Sequence, residues 1–400
     1  MATTTPSLFR SLLPLAVATF AVGTDAFVIA GLLPAIAADL DVTVAAAGQL
    51  VTVFALTIAV TAPVLGWLLS GLDRRKALQL ALAVFVVGNI VTALSSSFPI
   101  MMMARFVTAL GAATITATAA SAAVAIAPAE RRGRAMAVVI GGLTLSTALG
   151  MPLGNLIGSV DWRLTLWAVA GLGIIAAVGV SVSLPRVSLP AVSLVVRLAP
   201  LRQVNVLTIL GATALIMAGH YTVYTYLGAI TAGATAGSFT NAFTVILLAW
   251  GVGVLAGNFA AGFWADKGSG LGAALAALGG GTLLLAISPL TVSHLITVTV
   301  WAAVWGATDG MASVVQQHRL VAIAPASAPL LFGLNSSAIY LGVAAGGFIG
   351  GGALEWLAPT LLGVPAAVLA VLATLLTIAQ SGRGRTRIIQ RDPGRSPTKH

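Results

Sequence analysis

The sequence predicts an all-α membrane protein, with twelve transmembrane helices arranged as two pseudo-symmetric six-helix bundles. Three observations lead to this. Charged residues make up only 8% of the chain and apolar residues 58%, with a mean hydropathy of +1.04, whereas a soluble chain carries about a quarter charged residues. Apolar runs of roughly 20 residues, the length that crosses a bilayer, occur twelve times. The later half of the chain also echoes the earlier half at a nearly constant offset.

In order, the first six runs cover 11–34, 46–70, 77–96, 99–124, 135–158 and 163–184. The second six cover 204–230, 238–264, 270–290, 293–315, 329–353 and 360–380. The first run is too long for a signal peptide, has only Arg10 before it, and passes into a polar turn at Asp39 and Asp41 without a cleavage-type end. It is expected to stay in the mature protein. Between the two sets, 185–203 holds three prolines, three arginines and no acid. The expected organisation is therefore an amino-terminal bundle (1–184), a linker (185–203), a carboxy-terminal bundle (204–380) and a basic tail (381–400).

An even number of spans puts both ends of the chain on one side. All but two of the twenty basic residues fall there: Arg10, the groups 74–76 and 131–134, Arg186, Arg197, Arg202, Lys267, Arg319 and the tail. Lys and Arg accumulate on cytoplasmic loops, so both termini are expected in the cytoplasm, with the chain in a bacterial-type inner membrane. The net charge of +10 is then an orientation signal and calls for no nucleic-acid partner. Weak attraction of the tail to anionic lipid is the alternative reading of the same charges.

The internal echo is specific. "AIAPA" at 125–129 recurs at 322–326, Gly150 and Gly154 map onto Gly346 and Gly350, and Gly66 maps onto Gly262. Parallel six-helix repeats of this kind are a recognised transporter design, with the substrate site between the halves. Within the fifth run Gly142, Ser146, Gly150, Gly154 and Gly158 recur every four residues, and Gly342, Gly346 and Gly350 do so in the eleventh. Such stripes let helix backbones approach closely, and they suit either plain helix packing or a surface that moves in a gate. Pro152 lies inside the first stripe and is expected to kink its helix.

Several segments carry a resemblance. "GTDAFVIAGLLPAIAADL" (23–40), "GWLLSGLDRRKAL" (66–78), "RFVTALGAA" (105–113), "GGLTLSTALGMPLGNLIG" followed by "DWR" (141–163) and "GNFAAGFWADKG" (257–268) resemble motifs of the major facilitator superfamily. The closest resemblance is to its twelve-spanner drug:proton antiporters and the related sugar-efflux and chloramphenicol-efflux permeases. The segment 141–163 resembles the antiporter motif of helix five and is the most specific. The resemblance implies the major facilitator fold, with helices one and four together around the first half's cavity. It also implies that Asp73, Arg74 and Arg75, with Asp266 in the second half, sit where the family's inner gate latches. In two places the chain departs from the pattern. Ser70 stands where the loop motif has aspartate, and Asp25 lies one residue before the usual first-helix acid position, which is Ala26 here. One residue is a rotation of about 100° around a helix.

Ionisable residues inside spans are expensive, at about 2.5–3.5 kcal/mol each near a helix centre. Counting from the expected helix ends, Asp25 lies about 21 Å from the cytoplasmic face and Arg105 about 9 Å from the outer face, which is nearly one depth in a core about 30 Å thick. They are the candidate proton-coupling pair, with Asp25 binding the proton and Arg105 setting its affinity; a fixed structural ion pair is the alternative. In the seventh run, "GHYTVYTYL" (219–227) brings His220, Tyr221 and Tyr224 to helical spacing, either as a substrate-binding surface or as an interfacial aromatic belt. Asn241, Asn335 and Tyr340 are in-span polar residues that either line a cavity or bond between helices. Asp309 is expected near the cytoplasmic end of its span, meeting water or capping a helix.

No catalytic constellation is present, and an enzyme is not expected. The chain has no cysteine, its two glutamates lie in loops, and none of its three lysines follows glycine as a phosphate-binding loop requires. No cofactor and no metal are expected. The partners expected are a small-molecule substrate, protons and the lipid bilayer, acting on a monomer. With the resemblance, the chain reads as a proton-coupled exporter of small hydrophobic organic compounds working by alternating access. An uncoupled or sugar-type permease and a non-transporting membrane sensor are the alternatives.

Overall fold

The computed structural model describes residues 8–69, 71–188, 193–239, 241–265, 270–323 and 325–390, and within them the chain is helical apart from short turns. Twelve helices among the described residues are long and apolar enough to cross a membrane. The first six are α1 (Leu8–Asp39), α2 (Val44–Leu68), α3 (Arg74–Leu94), α4 (Phe98–Ile126), α5 (Ala129–Gly158) and α6 (Trp162–Ser183). The second six are α7 (Val204–Tyr224), α8 (Ala242–Phe263), α9 (Leu271–Thr291), α10 (Leu295–Ile323), α11 (Leu330–Ala353) and α12 (Pro359–Gln380). Helices satisfy every backbone group within the segment, which lipid demands.

Two helix ends and one helix interior differ notably from the sequence expectation. The seventh helix stops at Tyr224 rather than running on to 230, and short turns at Leu227–Ile230 and Ala232–Thr235 follow. The tenth continues to Ile323, eight residues beyond the expected end, because its last turns carry polar Gln and His without any helix breaker. In α5, Pro152 has no N–H to offer. The preceding Ser146–Gly150 takes up a π turn, in which the Met151 N–H donates to the Ser146 carbonyl. The helix thus changes its hydrogen-bond register locally, immediately before Pro152.

The packing repeats along with the sequence. In the first set α1 packs on α5 and α6, α2 on α4, and α3 on α4 and α6; in the second set α7 packs on α11 and α12, α8 on α10, and α9 on α10 and α12. Between the sets, α2 meets α11 and α5 meets α8, partners that the repeat interchanges.

Hydrogen bonds identify the two ends of the bundle. At the basic end, Ser11 of α1 donates to Ser183 O of α6 at 2.7 Å, the Arg74 N–H donates to Val187 O at 2.8 Å, and Arg319 Nη2 donates to Gln380 Oε1 at 2.5 Å. At the opposite end, Arg163 pairs with Asp39 at 2.8 Å and donates to Ser95 O at 3.1 Å. The two sets of helices are clasped toward this opposite end. Thr244 of α8 donates to Asn155 of α5 at 2.9 Å, and Tyr226 reaches from the end of α7 between Gly48 of α2 and Gly347 of α11. Toward the basic end, Gly141, Gly262 and Gly333 have open space where a side chain would stand.

The glycine stripes build each set of helices. A Cβ on Gly142, Gly150, Gly154 or Gly158 would run into Ala16, Thr24, Val28 or Leu32 of α1, and one on Gly342, Gly346 or Gly350 into α7 or Tyr226 just beyond it. The stripes therefore seat α5 on α1 and α11 on α7, each within its own set. The surfaces that cross between sets lie beside them: Thr147 and Ala148 of α5 against Gly251 of α8, and Gly347 and Gly351 of α11 against Thr52 and Gln49 of α2.

Overpacking such a contact costs about 1–3 kcal/mol. Gly346→Val is therefore expected to lower the unfolding temperature in detergent. Gly262→Val, where an added Cβ meets nothing within 4 Å, is expected to leave it unchanged. Thermal unfolding followed by tryptophan fluorescence makes the comparison.

Candidate functional site

Asp25 lies midway along α1, and Arg105 lies two turns into α4, which runs the other way beside it. Opposite directions bring them to one level. Arg105 Nη1 stands 2.7 Å from Asp25 Oδ1, and both side chains are 0% exposed. The guanidinium carbon also lies 4.1 Å from the centroid of the Phe54 ring on α2, so the cation is held by a carboxylate and by a ring face. Asp25 Oδ2 and Arg105 Nε and Nη2 have no hydrogen-bond partner within the protein. The pair is thus neutral in sum, sealed from solvent and only partly satisfied.

A second acid–base pair occupies the other set of helices. His220 Nδ1 of α7 lies 2.5 Å from Asp309 Oδ1 of α10, with the side chains 4% and 10% exposed. This corrects the reading of Asp309 as a water-facing or helix-capping residue near a helix end. Because α10 runs on to Ile323, Asp309 is mid-helix and faces α7. His220 points into this pair and edge-on to Trp305 at 5.6 Å, while its sequence neighbours turn elsewhere.

Tyr221 and Tyr224 face the other set of helices. Phe27 of α1 lies 6.4 Å from each ring, and the two tyrosines meet edge-to-face at 5.2 Å. The Tyr224 hydroxyl donates to Phe27 O at 3.2 Å and also contacts Met151 Sδ of α5. From Tyr224 the aromatic contacts continue through Trp250 at 4.5 Å to Trp305 at 6.0 Å and Trp301 at 4.9 Å. A continuous aromatic wall thus runs from α1 through α7 and α8 to α10. Tyr340 of α11 is buried. The sequence reading had not singled out Phe27, Trp250, Trp301 and Trp305. The four-residue spacing of Trp301 and Trp305 was the available signal.

The remaining candidates are scattered. Asn335 is buried within the second set, accepting from Thr213 at 3.4 Å. Asn241 precedes α8 at the opposite end, where its carbonyl accepts from the Val245 N–H at 3.3 Å. Asn155 was missed, and it donates to Gly31 O at 3.2 Å while accepting from Thr244. It therefore joins α1, α5 and α8.

Among the basic-end residues, Asp73 caps α3 by accepting from the Lys76 N–H at 3.2 Å. Arg74 is buried, and Arg75 Nη2 donates to Ser181 O of α6. These contacts stay within the first set. Arg197 of the linker, not foreseen, donates to Gly66 O at the end of α2 at 2.9 Å, and burial holds its guanidinium below the usual arginine range. Asp266 lies outside the described residues. A separate cleft of about 340 Å³ at the basic end, bordered by His318, Arg319 and Gln380, is remote from both acid–base pairs.

Comparison with known proteins follows this geometry. Residues 15–269 match the sequence profile of the Major Facilitator Superfamily. The chain is 33% identical over 371 residues to the uncharacterized MFS-type transporter YbcL of Bacillus subtilis (strain 168), covering 90% of this chain and 94% of that one. It is 33% identical over 374 residues to the inner membrane transport protein YdhP of Escherichia coli (strain K12), covering 91% and 94%. A chloramphenicol resistance protein of Streptomyces lividans is 36% identical over 259 residues, covering 63% of this chain and 66% of that protein.

Removing one partner of a buried ion pair leaves an uncompensated charge and costs about 3–5 kcal/mol. Arg105→Gln is expected to lower stability by that order, and the double variant Asp25→Asn/Arg105→Gln to recover most of the loss. Thermal unfolding of the three proteins in one detergent measures it. A double variant no more stable than the single one would show that the two side chains are not energetically coupled.

Proposed function

The chain belongs to the major facilitator superfamily, and from that premise we propose that it is a proton-coupled exporter of small hydrophobic organic compounds working by alternating access. The family and the transporter relatives make it a multi-pass membrane transporter rather than an enzyme. The finer reading rests above all on one observation: a sealed carboxylate–guanidinium pair, 2.7 Å apart, between two helices at membrane depth.

An acid here carries an insertion cost of about 2.5–3.5 kcal/mol, which a purely apolar packing residue would avoid. In the proposed cycle Asp25 takes up a proton when water reaches it from outside. Protonation removes its negative charge and frees Arg105, whose guanidinium stays charged throughout. On release toward the cytoplasm the carboxylate returns to the pair. One proton crossing 100 mV supplies about 2.3 kcal/mol, enough for a concentration ratio of roughly 50-fold.

The aromatic wall supports the substrate class. Phe27, Tyr221, Tyr224 and Trp250 form a largely buried aromatic cluster with a few hydroxyls, which on opening would offer surface suited to flat organic molecules of varied shape. The relative named for chloramphenicol resistance points the same way. Because Phe27 and Tyr224 belong to different sets of helices, a bound molecule would touch both, and rocking of 1–184 against 204–380 about the linker would carry it across. A single chain supplies all these groups, so a monomer suffices. The clasp at the opposite end fits a state closed to the outside, with both termini cytoplasmic in a bacterial-type inner membrane, as the Lys and Arg distribution indicates.

Reconstituted into liposomes with an imposed pH gradient, the protein is expected to accumulate chloramphenicol or another hydrophobic drug against its gradient. Asp25→Asn is expected to reduce gradient-driven flux at least about tenfold, equivalent to 1.4 kcal/mol, while leaving drug binding intact. Loss of binding together with flux would assign Asp25 a structural role. Topology is checked separately, since the chain has no cysteine of its own. In intact cells an impermeant maleimide is expected to label Val160→Cys, a site 81% exposed at the opposite end, and not Gly133→Cys. The reverse labelling would invert the orientation.

A further inference from the structure

We propose that His220 and Asp309 form a second proton-binding site, in the carboxy-terminal set of helices, which loads and unloads its proton at His220 Nε2. The proposal rests on the proton-coupled reading above and extends it to a group that neither the resemblance nor the relatives assign.

The first support is position. The repeat carries α1 onto α7 and α4 onto α10, and the offset of 196 that aligns the glycines places residue 25 at 221, beside His220. Each set of helices thus holds one acid–base pair between its first and fourth members, with acid and base exchanged: the offset carries Arg105 to Trp301, and Asp309 lies two turns further along α10. Their chemistry differs. Arg105 stays charged at every accessible pH, whereas imidazole changes charge in the physiological range.

The second support is the geometry around the ring. At 2.5 Å, the Asp309 carboxylate accepts the Nδ1–H. Nε2 faces α9 at Gly281, where even a Cβ would stand 3.4 Å away, and the neighbouring Gly279 and Gly280 add no side chain there. Asp309 is 10% exposed while the first pair is fully sealed, so this site touches an accessible edge.

The proton balance follows from these contacts. Loaded, the site is imidazolium with carboxylate, neutral in sum and favoured by burial. Unloading breaks the Nε2–H bond and passes that proton to water. The remaining neutral imidazole still donates through Nδ1–H, and the pair carries one negative charge, favoured by hydration. The hydrogen bond persists through both states, so the proton can leave without dismantling the α7–α10 contact.

The surrounding groups leave the pair in control. The α8, α9 and α12 helices contain no ionisable residue. On α7 the titratable neighbours are Tyr221 and Tyr224, on α11 Tyr340, and on α1 Asp25; on α10 His318 and Arg319 lie nine and ten residues on. The neutral Trp305 closes one side.

The test is to follow the ring nitrogens of ¹⁵N-histidine-labelled protein in lipid nanodiscs by NMR from about pH 5 to 8. The chain has four histidines, and His220→Gln assigns the signal. The expected result is a reversible change at Nε2 from protonated to unprotonated, with Nδ1 protonated throughout, and a midpoint lowered by about one unit or more in Asp309→Asn. A His220 signal that stays in one form across the range overturns the proposal, and this is decided even if Asp309→Asn does not fold. In proteoliposomes, the number of protons moved per chloramphenicol is expected to fall in His220→Gln; an unchanged ratio also overturns the proposal. Absence of gradient-driven flux in the wild type would instead defeat the exporter reading, and the nitrogen titration would then still decide whether this site binds a proton.

Discussion

A charge or an unpaired polar group at membrane depth has no water to turn to, and this constraint organises the whole molecule. It confines the backbone to helices, and it makes the few ionisable side chains inside the spans seek one another. Arg105 finds Asp25 and the Phe54 ring; His220 finds Asp309. The hydrophobic effect gives little help in holding helices together in lipid, so packing must come from close backbone approach. The glycines of α5 and α11 supply that approach, and the paired charges fix which helix levels match.

The two sets of helices are alike in packing but not in chemistry. The first pair joins a carboxylate to a permanent cation and is sealed; the second joins one to an imidazole and keeps an accessible edge. Between the sets acid and base exchange helices, Asp25 and His220 standing on the first members and Arg105 and Asp309 on the fourth. The aromatic wall lies between them, from Phe27 through Tyr224 and Trp250 to Trp305. A compound held on that wall would be near both pairs, which gives a physical route for substrate and proton to sense each other.

The stripes seat α5 on α1 and α11 on α7, while adjoining faces of the same helices meet α8 and α2. Each of these two helices is therefore closely packed on both sides, against its own set and against the other. In α5 the π turn beside Pro152 coincides with Thr147 and Ala148, the residues that face α8. The linker contact of Arg197 with the end of α2 adds a tether at the basic end.

Composition and spacing alone were enough for the twelve helices, their repeat and the common depth of Asp25 and Arg105, while the adjacency of their two helices came from the family resemblance. Apolar length is a one-dimensional property, and depth can be counted at a fixed rise per residue. The same count misjudged Asp309. The apolar run of the tenth helix ends near 315, but the helix itself continues to Ile323, so a residue expected near an end stands at mid-depth. The partner of His220, the rotation that sends Tyr221 and Tyr224 toward Phe27, and the use of the glycine stripes within rather than between the sets were decided only by tertiary structure. Each depends on the angle of a helix about its own axis relative to neighbours far away in sequence, and hydropathy that is high on every face carries no record of that angle.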